Sequence, residues 1–348
     1  MCAQKHSSNT YGQTSEEVNL EKSVRDEKCI LITGGAGYVG SILTSELLSE
    51  GYRVKVIDNL MHGGESLLSV LGHERFEFIR GDIRNEKDLL TALSGADMVI
   101  HLAAIVGDPA SKKMPKETKE INLEATKMLV ELSKQKGIKR LLFFSTCSNY
   151  GTSDSDKLSN ENTPLNPISL YAETKVAAEK YILSSVATGF APCVFRVSTI
   201  FGTSPRMRFD LTINQFVLEA MRDRKLIIFA PNLWRPYIHI RDVARMVNIA
   251  LIASEEKVSG EVYNVGGKSM SYTKKAISEL ILKNIPHTEI KVVDKGTDLR
   301  NYRVSFEKVA KTFAFFPQRT VGDGIIEVMS LVQNELIIDY TNEKYYNV

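Results

Sequence analysis

A short apolar run that passes directly into Thr33-Gly34-Gly35-Ala36-Gly37-Tyr38-Val39-Gly40, and from there into a helical stretch, constrains this chain more than any other feature. Glycines at 34, 37 and 40 permit a tight turn, close approach of the backbone to a pyrophosphate, and close helix–strand packing. The amino end of the following helix offers unpaired N–H groups to the anion. With a strand before it and a helix after it, the loop reads as a dinucleotide site rather than an ordinary βα turn, and Gly34, Gly37, Tyr38 and Val39 are its expected contacts.

From Lys28 onward short apolar runs alternate with amphipathic stretches. Ile30–Thr33, Arg53–Ile57, Phe76–Arg80, Met98–Leu102 and Arg140–Ser145 read as strands covered on both faces, with helices over Val39–Glu50, Glu86–Ala92 and Lys119–Lys136 between them. A longer helix is expected from just before Tyr171 through Ala187, then a strand over Cys193–Ile200. This alternation predicts an α/β fold, a Rossmann-type doubly wound parallel sheet whose ligand sits outside the strands' carboxyl ends. Beyond residue 200 the pattern loosens into a smaller mixed α/β lobe, with helices at Leu211–Arg222 and Val243–Ala253 and a short strand at Leu226–Phe229.

The 348 residues are long for one core. We therefore expect a cofactor-binding part over 28–200, to which part of 237–266 returns, and a mainly substrate-binding lobe over 201–340. Residues 1–27 are polar and lack the apolar stretch of a secretory signal, which reads as a disordered extension.

The second predicted strand leads to Asp58, 24 residues after Gly34, where a carboxylate can accept from both hydroxyls of an adenosine ribose. It would repel a 2′-phosphate, and Asn59, Leu60 and Met61 supply no arginine, so the expected cofactor is NAD. Asn59 follows on the same turn. Asp82 and Ile83, at the third strand's end, are placed to touch the adenine, and Leu102, Ala103 and Ala104 let the cofactor pass. His101 reads as a satisfied histidine beside the sheet rather than a catalyst.

Composition removes several alternatives. The 44 basic and 42 acidic residues are dispersed, leaving no basic stripe for nucleic acid. No apolar run approaches a membrane span, so no membrane insertion is expected. Cys2, Cys29, Cys147 and Cys193 lie far apart without a C-x-x-C, which points away from zinc or a disulfide framework and toward a reducing cytoplasm.

Together with the glycine loop, the Asp82-Ile83 and His101-Leu102-Ala103-Ala104 segments, Ser145-Thr146-Cys147-Ser148-Asn149-Tyr150-Gly151, and Tyr171-Ala172-Glu173-Thr174-Lys175 make the sequence resemble the extended short-chain dehydrogenase/reductases, the NAD-dependent sugar-nucleotide epimerases and dehydratases. The likeness runs from about Lys28 to Asn334. It implies that Tyr171 is the catalytic base, that Lys175 binds the nicotinamide ribose, and that Thr146 hydrogen-bonds the reacting hydroxyl. Tyr171 and Lys175 are four residues apart on a predicted helix and share a face, so an ammonium near the phenol would bring the base toward neutral pH.

The resemblance continues through Ser204-Pro205-Arg206-Met207-Arg208 and Trp234-Arg235-Pro236-Tyr237. It implies that Arg235 grips the diphosphate of a nucleoside-diphosphate sugar, with Arg300 near another such position. Arg206 and Arg208 are further candidates, although they and Arg241 read equally well as solvated residues. Family 4,6-dehydratases carry an acidic pair directly after the threonine, where this chain has Cys147 and Ser148; dehydration is therefore disfavoured, and Cys147 reads as a packing residue.

What remains is epimerisation through a transient 4-keto-sugar or net C4 oxidation–reduction, with a catalytically inactive NAD-binding protein as the reading from another class. A looser likeness to bacterial nucleotide-heptose C4 dehydrogenases suggests polysaccharide biosynthesis. The family implies a homodimer built on two helices per subunit, the tyrosine-bearing one included.

Overall fold

The computed structural model describes residues 28–152, 157–293 and 300–347. The expected amino-terminal extension lies outside them. Fourteen strands are described: β1 Cys29–Thr33, β2 Arg53–Asp58, β3 Phe76–Arg80, β4 Met98–His101, β5 Arg140–Thr146, β6 Leu158–Ser159, β7 Ala191–Val197, β8 Thr199–Phe201, β9 Lys225–Phe229, β10 Trp234–His239, β11 Glu261–Val265, β12 Ser271–Thr273, β13 Glu289–Val293 and β14 Arg303–Val304. The helices used below are α1 Tyr38–Ser49, α2 Glu86–Leu93, α3 Ala125–Gln135, α4 Leu170–Ser184, α5 Thr212–Asp223, α6 Ile240–Ile252 and α7 Val321–Gln333.

Seven strands form one parallel sheet in the order β11-β7-β5-β4-β1-β2-β3. Alternate side chains along each inner strand feed opposite cores. Ile30, Ile32, Val54 and Phe195 enter a cluster shared with α1 and α6, while Leu31, Ile57, Val99 and Val194 enter one shared with α2, α3 and α4. Each fully buried Leu, Ile or Val contributes on the order of 2 kcal/mol, and coverage on both faces explains why these strands read as continuous apolar runs. The strand order reverses between β1 and β4, and the crevice of such a sheet opens there.

A third core holds Phe201, Phe209, Phe216, Tyr237, Ile277 and Ile325, beside a three-stranded sheet β12-β10-β8 and a β13-β9 pair. Among the described residues no helix is long and apolar enough to cross a membrane.

Four expected elements differ in the structure. The helix expected over Lys119–Lys136 is a short helix Pro115–Lys119, a π turn at Glu120–Glu124, and α3. The π turn carries Asn122, whose side chain accepts from Ile105 N at 2.8 Å and donates to Ile105 O at 2.9 Å, a tertiary demand that periodicity does not register.

The single strand expected over Cys193–Ile200 is two. After Val197 the chain leaves the large sheet, Ser198 N bonds Val265 O at 3.0 Å, and β8 pairs with β10 instead. Helix α4 ends at Ser184, not Ala187, because the chain turns between Ala187 and Phe190 with Gly189 at φ +80°. Helix α6 begins three residues early at Ile240, because His239 Nδ1 caps it by accepting from Arg241 N.

Candidate active site

One cavity of about 430 Å³ opens along the carboxyl ends of β1, β2, β4 and β5, and every site residue expected from sequence lines it. At one end is the glycine loop. Gly34 lies at φ +75°, and a Cβ there would sit 2.8 Å from Ala103 N, so the β1 and β4 ends approach as only glycine permits. Helix α1 starts at Tyr38, and its capping residue Gly37 supplies no side-chain bond, so the first N–H groups lie uncapped by a side chain at the cavity wall.

Asp58 Oδ2 accepts from Ala36 N at 3.0 Å and Oδ1 from Leu60 N at 2.8 Å. Burial holds this carboxyl above its ordinary range despite those bonds. Each oxygen retains a lone pair for a ribose hydroxyl. Asn59, Asp82, Ile83, Leu102, Ala103 and Ala104 continue the same wall, so the loop, the open helix end and the ribose-facing carboxylate fit a dinucleotide. His101 lies behind it, between Thr33 Oγ1 at 2.7 Å and Thr126 Oγ1 at 2.8 Å, and burial lowers it to about 3, which keeps it neutral.

At the other end β5 delivers Thr146 and α4 delivers Tyr171 and Lys175. Ser169 caps α4, its Oγ accepting from Ala172 N at 3.3 Å. Thr146 Oγ1 accepts from Ser148 N at 3.1 Å, which leaves its proton to donate into the cavity.

The phenol does not have the lowered pKa that the Tyr171–Lys175 spacing suggests. Burial pushes Tyr171 up to about 12, with Arg208 and Arg300 pulling down and Asp108 pushing up. Burial also lowers Lys175 to about 7, against the nearby Glu179 carboxylate. Lys175 Nζ donates to Phe144 O at 2.9 Å and lies 4.5 Å from the centre of the Phe143 ring. Sharing a helix face therefore places both groups in the cavity without an ammonium–phenol bond, and desolvation decides both values.

The arginines divide clearly. Arg206 and Arg208 are buried in the cavity wall rather than solvated, whereas Arg241 pairs with Glu46 at 2.8 Å and does not line the cavity. Arg208 grips Asp210 at 3.0 and 2.6 Å. Arg235 stacks 5.0 Å over Tyr302 and donates to the carbonyls of Trp234 and Arg300. Arg300 meets Asp108 at 3.3 Å and Ser148 Oγ at 3.3 Å. The Cys147 thiol is buried and donates to Arg196 O at 3.1 Å; burial raises its pKa, as suits a packing residue.

Sequence reasoning missed several contributors. Asp108, held by Ser169 Oγ at 2.7 Å, lines the cavity near Tyr171; its only local sign is an Asp-Pro at a helix start. Asn122 and the buried Glu179–Arg196 pair at 2.9 Å gave no sign, because their partners are distant in sequence. His62 and Asn347 reach the cavity from a loop and from the C-terminal segment. Among the described residues no group of three or more His, Cys, Asp or Glu could hold a metal ion.

A sequence model described as the NAD dependent epimerase/dehydratase family matches residues 30–266. A putative UDP-glucose 4-epimerase of Methanocaldococcus jannaschii is 28% identical over 88% of this chain and 98% of its own length. A dTDP-glucose 4,6-dehydratase of an Actinoplanes species is 30% identical over 86% of this chain and 96% of its own. Among solved structures, a Bacillus cereus UDP-glucuronic acid 4-epimerase in complex with UDP-glucuronic acid and NAD superposes with a TM-score of 0.78 at 26% identity, covering 88% of this chain and 99% of that one.

Proposed function

Because the chain belongs to the NAD-dependent epimerase/dehydratase family, we propose that this enzyme is a sugar-nucleotide 4-epimerase that works through a transient 4-keto-sugar. The observation that carries this reading is the pairing of a dinucleotide cleft with Thr146 and Tyr171 in one cavity, while the two positions after Thr146 hold Cys147 and Ser148. Expelling a C6 hydroxyl needs a carboxylic acid and a base at those positions. Here the thiol faces Arg196 O and the serine hydroxyl meets Arg300 and Tyr302, while Asp108 is engaged by Ser169 and Arg300.

Gly34, Gly37, Tyr38, Val39, Asp58 and the β3 and β4 ends would hold NAD, which would supply the hydride acceptor and donor. Tyr171 acts as its phenolate: the positive nicotinamide that NAD would bring offsets the burial that raises the phenol, and the phenolate takes the proton from the C4 hydroxyl and later returns it. Thr146 donates to the sugar oxygen as it becomes a carbonyl and then an alkoxide, a stabilisation strengthened by burial. Lys175, fixed on Phe144 O, would bind the nicotinamide ribose. Arg208, Arg235 and Arg300 lie on the side given to the diphosphate and sugar, in the 201–340 lobe. For epimerisation the keto-sugar must turn over before hydride returns to its other face.

Net C4 dehydrogenation uses the same residues, and the two outcomes are separated by the fate of the cofactor. Purified enzyme is incubated with UDP-, GDP-, dTDP- and CDP-sugars, with absorbance followed at 340 nm and products identified by NMR. A configurational isomer without net NADH is the expected result; accumulating NADH with a released keto-sugar overturns it. Cys29, Cys147 and Cys193 are buried free thiols, which supports a reducing cytoplasm as the setting, and a homodimer through α4 belongs to the same reading.

A further inference from the structure

Arg206 is a buried guanidinium that forms no ion pair among the described residues, although the Asp210 and Asp58 carboxylates act on it from farther away. It is 5% exposed, its Nη2 donates to Asn347 Oδ1 at 2.7 Å, and its Nε has no hydrogen-bond partner among the described residues. Its neighbour Arg208, in contrast, is held by Asp210. Burying a cation without a hydrogen-bonded anion is costly even after relaxation; burial and Arg208 lower the pKa of Arg206 to about 10, and Asp210 and Asp58 offset this only in part. Such a group is matched by an anion that arrives with a ligand.

The segment bearing Arg206 is laced to the first turn of α1. Tyr38 Oη donates to Gly202 O at 2.7 Å, Ser204 Oγ donates to Tyr38 O at 2.7 Å, and the Ser204 and Ser41 hydroxyls meet at 3.0 Å. The N–H groups of that turn lie uncapped by a side chain at the cavity wall. Arg206 follows Ser204 by two residues and lines the same cavity beside Tyr38, Asp58 and His62.

We propose that Arg206 binds the cofactor rather than the sugar nucleotide, holding the pyrophosphate of NAD together with the α1 amino end to which its segment is bonded. Asn347, whose N–H also approaches Asp210 Oδ2 at 3.3 Å, orients it, and the C-terminal segment is tied across the β2 side by Lys344–Glu65 at 3.2 Å. The pyrophosphate is the phosphate of choice because Asp58 still offers lone pairs to ribose hydroxyls and would oppose a 2′-phosphate. The clamp rests on the NAD reading but not on epimerase chemistry.

The test measures NAD content of the purified protein, and dissociation constants of NAD, NADP and UDP by calorimetry after charcoal stripping. Arg206→Gln is expected to weaken NAD binding about 10- to 100-fold, the range for losing a charge-assisted phosphate contact, with UDP affinity unchanged within about twofold. Asn347→Asp leaves packing intact and pairs with Arg206, so it guards against a folding defect; it is expected to weaken NAD binding in the same direction. Unchanged NAD affinity in both variants, or loss of UDP rather than NAD, overturns the clamp. NADP binding tighter than NAD in the wild type, lost in Arg206→Gln, assigns the arginine to a 2′-phosphate and also overturns it. A wild-type protein that neither carries nor binds NAD refutes the cofactor reading itself.

Discussion

Lys175 Nζ donates a 2.9 Å hydrogen bond to the carbonyl of Phe144, two residues before Thr146 on β5. One α4 turn later, Glu179 accepts from Ser145 Oγ and Asn149 Nδ2. Successive turns of the helix thus grip successive residues of the strand, and this fixes Thr146 relative to Tyr171. The ammonium acts as a brace as well as a charge.

Lys175→Met tests both parts. Lys175 is lowered to about 7 in the folded state, below its ordinary 10.5, so the native state binds fewer protons between pH 7 and 10.5 and wild-type stability rises across that window through this group. The variant lacks the titration. Its stability advantage over wild type should therefore be largest at or below pH 7 and shrink toward pH 10.5 in urea melts, while turnover falls by about 100-fold or more. A pH-independent difference would show that Lys175 does not titrate in that range.

Tyr171→Phe removes one oxygen from a buried ring. Turnover is expected to drop about 10²–10⁴-fold, with NAD content unchanged, because the cofactor loop is untouched. Near-normal activity would remove Tyr171 from the role of base.

Gly40→Ala should disturb the cofactor loop. An added Cβ meets Gly34 O and Gly35 backbone atoms well inside contact distance, and no flexible side chain can yield. We expect about 1–3 kcal/mol of destabilisation and weakened NAD binding. Gly72→Ala, with nothing within 4 Å of the new methyl, is the control and should leave both unchanged.

Glu327 reports on the packing of α7 against the β8–β10 side. Burial raises its carboxyl, but bonds from His239 at 3.1 Å and from Thr203 outweigh that and hold it at about 2. A depressed carboxyl contributes stability above its unfolded value near 4.5, and this is lost as pH falls toward 2. Glu327→Gln should therefore flatten that part of the acid unfolding curve, measured by circular dichroism from pH 5 to 2. A curve parallel to wild type would mean that the carboxylate adds nothing.

Much of the cofactor half was legible because its parts are close in sequence. Strand, glycine loop and helix follow within Cys29–Ser49, Asp58 closes the next strand, and Tyr171 and Lys175 are one helical turn apart. The π turn at Asn122 was not legible, since its reason is the Ile105 backbone 17 residues away. Nor was the break at Ser198, where the chain makes its last bond to β11 at Val265 O and β8 goes on to pair with β10, a strand more than 30 residues away.

By itself the sequence determined the parallel sheet, from apolar runs alternating with amphipathic helices, and the dinucleotide loop, from glycines set between a strand and a helix, while the candidate base came from the order of motifs shared with a family. The tertiary structure alone decided which arginines are buried in the cavity, that Lys175 braces Phe144 instead of meeting the phenol, and that Asn347 reaches Arg206 across 141 residues. Those outcomes come from burial and from contacts between distant segments, and desolvation of a side chain is a property of the folded whole that no local pattern encodes.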